Sequence, residues 1–188
     1  MADIFISFIH EEVRVAEAVQ RFLQAHLGKN SGVFLSADQW QVYAGEQWLD
    51  RIIAELRDAK VVISLFSPTS VKRPWVNFEA GAAWVRPETK LIPVCFGGMS
   101  KGNMPKPYSS IQAIQLEDFS DQYYLVTSTL HHLNKIPPPP LPPLSESDDD
   151  EVGVWGAQIE EAREPYRKLR DALKRHNDDR KPMTPPPA

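Results

Sequence analysis

Short apolar segments alternate with amphipathic segments over the first 135 residues of the chain. Nearly continuous apolar runs at 3–8, 32–36, 61–66, 90–96 and 111–116 predict five β-strands. Between these runs, apolar residues recur at intervals of three and four, which predicts helices with one buried face. Regular alternation of strand and helix is typical of a parallel sheet covered by helices on both faces. The pattern therefore predicts an α/β fold with a flavodoxin-like, five-stranded parallel sheet.

The positions of the helices follow from the same pattern. One helix is predicted after "IHEE" (9–12), a second within 45–60, a third from Trp75 to Trp84 and a fourth from 123 to 133. Pro93 falls inside the fourth strand. Because proline donates no hydrogen bond to a sheet, the fourth strand is expected towards an edge.

Proline and acidic residues mark the end of this predicted domain, 1–135. Many of the 17 prolines lie in "IPPPPLPPL" (136–144), which favours an extended polyproline II conformation. With the acidic run that follows, 136–151 is predicted to be a linker. Residues 152–176 repeat apolar positions at spacings of four and three, which predicts a helix. This helix packs on its own domain, on another copy or on a partner protein, and 177–188 is expected to be disordered.

Composition excludes several classes of function. The chain is 42% hydrophobic and 24% charged, as expected of a soluble globular protein, and its net charge of −4 gives no general attraction to nucleic acid or anionic membrane. No apolar run approaches the roughly 18 residues that a membrane span needs. A single cysteine, Cys95, excludes internal disulfides and is expected to be buried and unreactive. We therefore expect a cytoplasmic protein.

The segment "RPWVNFEAGAAWVR" (73–86) contains the candidate for chemistry. Glu79 is the only charged residue between Trp75 and Trp84. An ionised carboxylate in apolar surroundings is costly unless it is paired or meets water in a cleft. In a flavodoxin-like sheet, ligands bind beyond the carboxyl ends of the first and third strands. Glu79 follows the third strand by one loop and about one helical turn, which places it beside that crevice.

The residues at the carboxyl ends of the first and third predicted strands disfavour several kinds of flavodoxin-like protein. The segment after the first strand, "SFIHEEVR", contains no glycine to cradle a phosphate. The acidic residues that a phospho-acceptor domain needs at its strand ends are absent. The histidines show no metal-ligand spacing apart from the adjacent pair at 131 and 132, so no metal site is predicted. No bound cofactor is predicted either.

Three segments, in order, resemble the Toll/interleukin-1 receptor (TIR) domain family. They are the opening strand "DIFISF", the segment "VFLSADQWQVYAGEQWLDRIIAEL" and the segment "AKVVISLFSPTSVKRPWVNFEAGAAW", which contains the family's Trp-x-x-x-Glu helix. The resemblance covers about residues 2–133. In enzymatic members, the glutamate at this position cleaves NAD⁺ between nicotinamide and ribose. The resemblance thus implies that Glu79 is the catalytic residue and that NAD⁺ is a substrate.

One carboxylate suffices for such a reaction, because nicotinamide in NAD⁺ is already cationic and leaves as a neutral molecule. Trp75, one helical turn before Glu79, is a candidate wall of the pocket. Candidates for stacking on the substrate or for donating hydrogen bonds to it are Phe8, His10, Ser36, Trp40, Tyr43 and Ser67. Water as the attacking group would release ADP-ribose, and attack by adenine or a ribose hydroxyl would give a cyclic ADP-ribose isomer.

Two other functions stay open. Trp40 and Tyr43 lie in a loop that makes subunit contacts in TIR domains, so a non-catalytic adaptor acting by self-association is the first alternative. "EAGAA" (79–83) also resembles nucleoside deoxyribosyltransferases, whose nucleophile is that glutamate. The resemblance to bacterial antiphage TIR effectors implies activation by self-assembly, with an effector or sensor protein as partner.

Overall fold

The computed structural model describes residues 2–28, 31–36, 48–137 and 154–180, with side chains described from 49 in the second helix and from 162 in the last. It confirms the predicted five-stranded parallel sheet and the C-terminal helix. The strands are β1 (Ile4–Ser7), β2 (Val33–Ser36), β3 (Val61–Phe66), β4 (Lys90–Cys95) and β5 (Ile114–Gln115).

Five α-helices accompany the strands: α1 (Val13–Leu27), α2 (Trp48–Asp58), α3 (Pro74–Trp84), α4 (Phe119–His132) and α5 (Val154–Asp179). Local sequence signals explain where two of these helices, α3 and α4, begin. α3 begins at Pro74, whose missing N–H is harmless in a first helical turn. α4 begins four residues earlier than the sequence predicted, because the Asp118 side chain accepts a hydrogen bond from the Asp121 N–H and caps the helix.

The strand order is β2-β1-β3-β4-β5, and the order reverses between β1 and β3. The expectation that the fourth strand lies towards an edge is wrong, since β4 lies between β3 and β5. At Pro93, β4 pairs with β3 through Ser64, whereas β5 pairs with Val94 and Cys95. In the described sheet, therefore, β4 is an interior strand. On the side that faces β5, however, Pro93 has no paired residue.

Alternate residues of each strand face two separate apolar layers. Ile4 and Ile6 of β1 pack in a layer with α1, α4 and α5, whereas Phe5 packs in the opposite layer with α2 and α3. Both faces of the sheet are thus covered, which is why the strands read as continuous apolar runs. The carboxyl ends of the strands lie at one edge of the sheet, where the segments after β1 and β3 meet.

The C-terminal helix docks on its own domain. Tyr166, Leu169 and Leu173 of α5 are at most 3% exposed and belong to the same apolar layer as α1. The Tyr166 ring contacts Phe22 of α1 and Phe119 of α4, each at 4.9 Å between centroids. These contacts settle the open question of what the described part of α5 packs against. The helix ends at Asp179, three residues beyond the predicted end.

We predict that replacement of Leu173 by alanine lowers the free energy of unfolding by about 2–5 kcal/mol, because it leaves a cavity between α5 and α1. Urea denaturation of the full chain measures this value. Lys174→Ala, at the neighbouring exposed position, is the control and is expected to change stability by less than about 0.5 kcal/mol. Equal, small effects of both substitutions would contradict docking of α5 on its own domain.

Candidate active site

The Glu79 carboxylate is enclosed at the carboxyl end of the sheet. Glu79 lies in α3, and its side chain is 0% exposed between the helix and the strand ends. The Ser7 hydroxyl donates a hydrogen bond to Oε2 at 2.5 Å, and the Ser36 hydroxyl donates one to Oε1 at 2.5 Å. Each carboxylate oxygen therefore has a hydroxyl donor, one from β1 and one from β2.

Strand register explains why two serines reach one carboxylate. Ser7 and Ser36 are the last residues of adjacent parallel strands and are directly paired, so their side chains leave the same face of the sheet. Ser7 is also paired with Ser64 of β3, which continues the row towards the centre of the sheet. Ser64 is 0% exposed, and its hydroxyl has no hydrogen-bond partner within the described residues. The row supplies three hydroxyl groups, two of which bind Glu79.

The helix that carries Glu79 is held by small and branched apolar residues. Val76, Ala80 and Ala83 are buried against the sheet, and they bring the α3 backbone close to the strand ends. Although α3 is largely apolar in sequence, Phe78 is 50% and Trp84 44% exposed. α3 is thus a surface helix, and its charged residue Glu79 lies on the inward face.

Burial of a carboxylate is strongly unfavourable without donors. Hydrogen bonds to a charged group contribute about 1.5–3 kcal/mol each, so the two serine hydroxyls offset much of this cost. A carboxylate held between two donors has a fixed position and orientation. Such fixed placement is what electrostatic stabilisation of a reacting centre requires.

A cleft of about 220 Å³ lies next to this carboxylate. Phe8 and Trp75 supply aromatic surface, and Ser36 reaches both the cleft and Glu79. Arg73 and Glu11 also line the cleft and form an ion pair, with 2.8 Å between Nη2 and Oε1. The cleft thus combines an aromatic wall with an arginine, and Ser36 connects it with the buried Glu79 carboxylate, which does not itself line the cleft.

The structure brings together four of the residues that the sequence proposed for the site: Phe8, Ser36, Trp75 and Glu79. His10 is exposed and is not among the described residues that line the cleft. Ser67 lies elsewhere, because its hydroxyl donates to Glu12 and accepts from the Thr69 and Ser70 N–H groups. Trp40 and Tyr43 lie outside the described residues.

The structure adds Ser7, Ser64 and Arg73 to the residues that the sequence predicts at or near the site. A signal for Ser7 existed, since it is the penultimate residue of the predicted strand 3–8, as Ser36 is the last of 32–36, and parallel strands end at a common edge. Their pairing required the register of β1 with β2, which the apolar pattern does not contain. Arg73 precedes α3 directly, but its contact with Glu11 depends on the path of the chain after β1.

Cys95, by contrast, has the environment of an unreactive core thiol. It is buried in β4, and burial raises the pKa of its thiol to about 11. The nucleophilic thiolate is therefore scarce at neutral pH.

The chain is similar in sequence to a known protein family. A family model described as TIR domain matches residues 4–126, a range that includes all five strands and Glu79. The chain belongs to the TIR domain family. The resemblance found in three sequence segments is thus confirmed over most of the chain. No curated protein sequence matches it.

One solved structure shows the same fold. The TIR domain is similar to the structure of a metazoan TIR-STING receptor from C. gigas in complex with 2′,3′-cGAMP, with 22% identity and a TM-score of 0.51. That match covers 69% of this chain but only 39% of the receptor chain. A second match is to the TIR domains in the activated Roq1 resistosome that directly recognises the pathogen effector XopQ, with 14% identity, a TM-score of 0.44, and coverage of 95% and 84%.

None of the described helices is both long and apolar enough to cross a lipid bilayer.

We predict that Ser36→Ala lowers the free energy of unfolding by about 1–3 kcal/mol, because one oxygen of a buried carboxylate loses its donor. A double-mutant cycle of Ser36→Ala with Glu79→Gln, followed by urea denaturation, should give a coupling energy of about 0.5–3 kcal/mol. The control cycle combines the exposed residues Ser109→Ala and Glu88→Gln, for which no coupling is expected. Equal coupling in both cycles would show that Ser36 does not bind Glu79.

Proposed function

We propose that this TIR domain cleaves NAD⁺ between nicotinamide and ribose, with Glu79 as the catalytic residue. One observation carries the proposal: two strand-end hydroxyls hold the buried Glu79 carboxylate, and one of them, that of Ser36, also lines an aromatic cleft. The family resemblance supports the same residue, since enzymatic TIR domains use the glutamate of this helix.

The chemistry needs little beyond a well-placed carboxylate. Nicotinamide is a neutral leaving group once its bond to the ribose breaks, so no residue has to protonate it. Positive charge develops on the anomeric carbon and ring oxygen of the ribose in the transition state. A carboxylate in a fixed position stabilises that charge, or forms an ester with the anomeric carbon, before the attacking group arrives.

The size of the cleft indicates which part of the dinucleotide it holds. Its volume of about 220 Å³ is below the roughly 300–1,000 Å³ of typical ligand pockets. In our proposal it holds the nicotinamide riboside end, with the nicotinamide ring against Trp75 and Phe8. Arg73 at the same cleft is suited to the diphosphate, because its guanidinium matches phosphate oxygens.

Access to Glu79 depends on Ser36. The carboxylate is fully buried, whereas Ser36 both binds it and lines the cleft. A ribose hydroxyl can take the place of the Ser36 hydroxyl as donor to Glu79. The exchange conserves the number of hydrogen bonds while it opens the carboxylate to the substrate. Since residue 37 begins the loop implicated in TIR self-association, assembly that repositions Ser36 would activate the site.

The remaining features of the proposal rest on resemblance to the family. The product is ADP-ribose if water attacks and a cyclic ADP-ribose isomer if adenine or a ribose hydroxyl attacks. We place the activity in the cytoplasm, in bacterial antiphage defence, under the control of self-association and of an effector or sensor protein.

We predict that Glu79→Gln reduces NAD⁺ consumption by about 10²–10³-fold, as loss of one preorganised electrostatic group does elsewhere. Glu88→Gln is the matched control, since Glu88 is an exposed glutamate paired with Arg86 and should retain full activity. Purified full-length chains are assayed at high concentration, and mass spectrometry identifies the products.

The outcomes separate the three functions. Equal consumption of NAD⁺ by both variants would contradict a catalytic role for Glu79. No consumption by the wild type, with assembly confirmed by light scattering, would favour the adaptor. Turnover of deoxynucleosides without turnover of NAD⁺ would favour the deoxyribosyltransferase.

We further predict that Trp75→Ala raises KM for NAD⁺ by roughly 5- to 150-fold and changes kcat less, because stacking on an aromatic side chain contributes about 1–3 kcal/mol to binding. Trp84→Ala is the control, as Trp84 ends the same helix and is 44% exposed. Initial rates over a range of NAD⁺ concentrations measure both constants. Similar KM values for both variants would exclude Trp75 from the substrate site.

A further inference from the structure

A larger cavity of about 770 Å³ lies on the other side of the segment that follows β1. It is lined by the short 3₁₀ turn His10–Glu12, the start of α1, Thr69 after β3 and the last turns of α5. The reversal of strand order between β1 and β3 creates a crevice here, where doubly wound folds bind ligands. Its volume is within the range of typical ligand pockets.

One wall of the cavity contains a buried carboxylate with unused hydrogen-bonding capacity. Glu12 is 2% exposed, and its Oε1 accepts a hydrogen bond from the Ser67 hydroxyl. Its Oε2 has no hydrogen-bond partner in the described part of the chain. Burial raises the pKa of this carboxyl group. A buried polar atom without a partner is costly, and a donor supplied by a ligand would remove that cost.

The last turns of α5 bring positive charge to the cavity, close to Glu12. Arg180 lies 3.9 Å from Glu12 Oε1 and donates a hydrogen bond to the Thr69 hydroxyl at 2.7 Å. Arg14 and Arg21 of α1 are paired with Asp179 and Glu17. Arg175 also lines the cavity but, over the described ranges, has no acidic partner. The cavity therefore offers an unused acceptor at one wall and an unpaired guanidinium at another.

We propose that this cavity is a second ligand site that binds a phosphorylated sugar, such as the ribose phosphate unit of a nucleotide. Glu12 Oε2 is enclosed in the unliganded protein, so on binding the Glu12 carboxylate shifts towards the cavity. The sugar hydroxyls then donate to Oε2, and the phosphate binds Arg175, with Arg180 close by. A guanidinium matches phosphate oxygens in geometry and charge, and a carboxylate accepts from neighbouring hydroxyls. A purely anionic ligand would leave Glu12 unsatisfied, and a purely cationic one would face Arg175.

The site is separate from the cleft at Glu79 and does not depend on the proposed NAD⁺ cleavage. Glu12 and Thr69 line the large cavity, whereas Ser36 and Trp75 line the cleft. Ile9 and Glu11 contribute to both, so the segment after β1 forms the wall between them. A ligand in the large cavity would therefore contact the same segment that borders the cleft.

Isothermal titration of the full chain with ribose 5-phosphate tests the proposal. We expect saturable binding that is weakened about tenfold or more by Arg175→Ala, which removes an exposed side chain and does not threaten folding. Glu12→Gln should weaken binding similarly, because the Ser67 donor holds the amide oxygen at the Oε1 position and places the NH₂ group where the sugar hydroxyl donates. Ribose and inorganic phosphate should each bind at least tenfold more weakly than ribose 5-phosphate.

Two controls keep the result specific to this cavity. Arg170→Ala removes an exposed arginine of α5 that lies at a different pocket, and Trp75→Ala alters the cleft at Glu79. Both should bind ribose 5-phosphate as the wild type does. The proposal is overturned if the wild type shows no saturable binding, if Arg170→Ala weakens binding as much as Arg175→Ala does, or if Trp75→Ala alone abolishes it.

Discussion

The hydrogen bonds from Ser7 and Ser36 to the Glu79 carboxylate are the interaction on which the candidate site depends. A fully buried carboxylate is tolerated only with donors in place. Those donors exist because two adjacent parallel strands end in serine at paired positions, and because α3 packs its small residues against the sheet. The fold and the chemistry of the site are therefore set by the same register.

Much of the fold and part of the site were predictable from the sequence. Apolar runs such as 61–66 identify buried strands because a parallel sheet covered on both faces excludes polar residues from them. Glu79 was identifiable because a lone charge in an apolar helix needs a reason. Pairing was not predictable: Ser7 with Ser36, and Arg73 with Glu11, are contacts between distant segments that no local pattern records. The prediction that the strand with Pro93 lies towards an edge was wrong for the same reason. The short β5 pairs with Val94 and Cys95 but not with Pro93, and no local pattern records where β5 begins.

The C-terminal helix connects the larger cavity with the apolar core of the domain. Tyr166, Leu169 and Leu173 anchor α5 on α1, and its last turn brings Arg175 and Arg180 to the crevice beside Glu12. The segment after β1 separates this crevice from the cleft at Glu79. Ser36, the last residue of β2, lines that cleft and binds Glu79. The proposed catalytic site and the proposed second ligand site thus share one edge of the sheet.

The most direct test of the central claim is a crystal structure of the full chain with a non-cleavable NAD⁺ analogue. We expect the anomeric carbon of the nicotinamide ribose about 3–3.5 Å from a Glu79 carboxylate oxygen, as in a reactive geometry. We also expect a ribose hydroxyl to replace the Ser36 hydroxyl as donor to Glu79. An analogue bound at another surface, with Glu79 still enclosed by Ser7 and Ser36, would contradict the claim and leave Glu79 a structural residue.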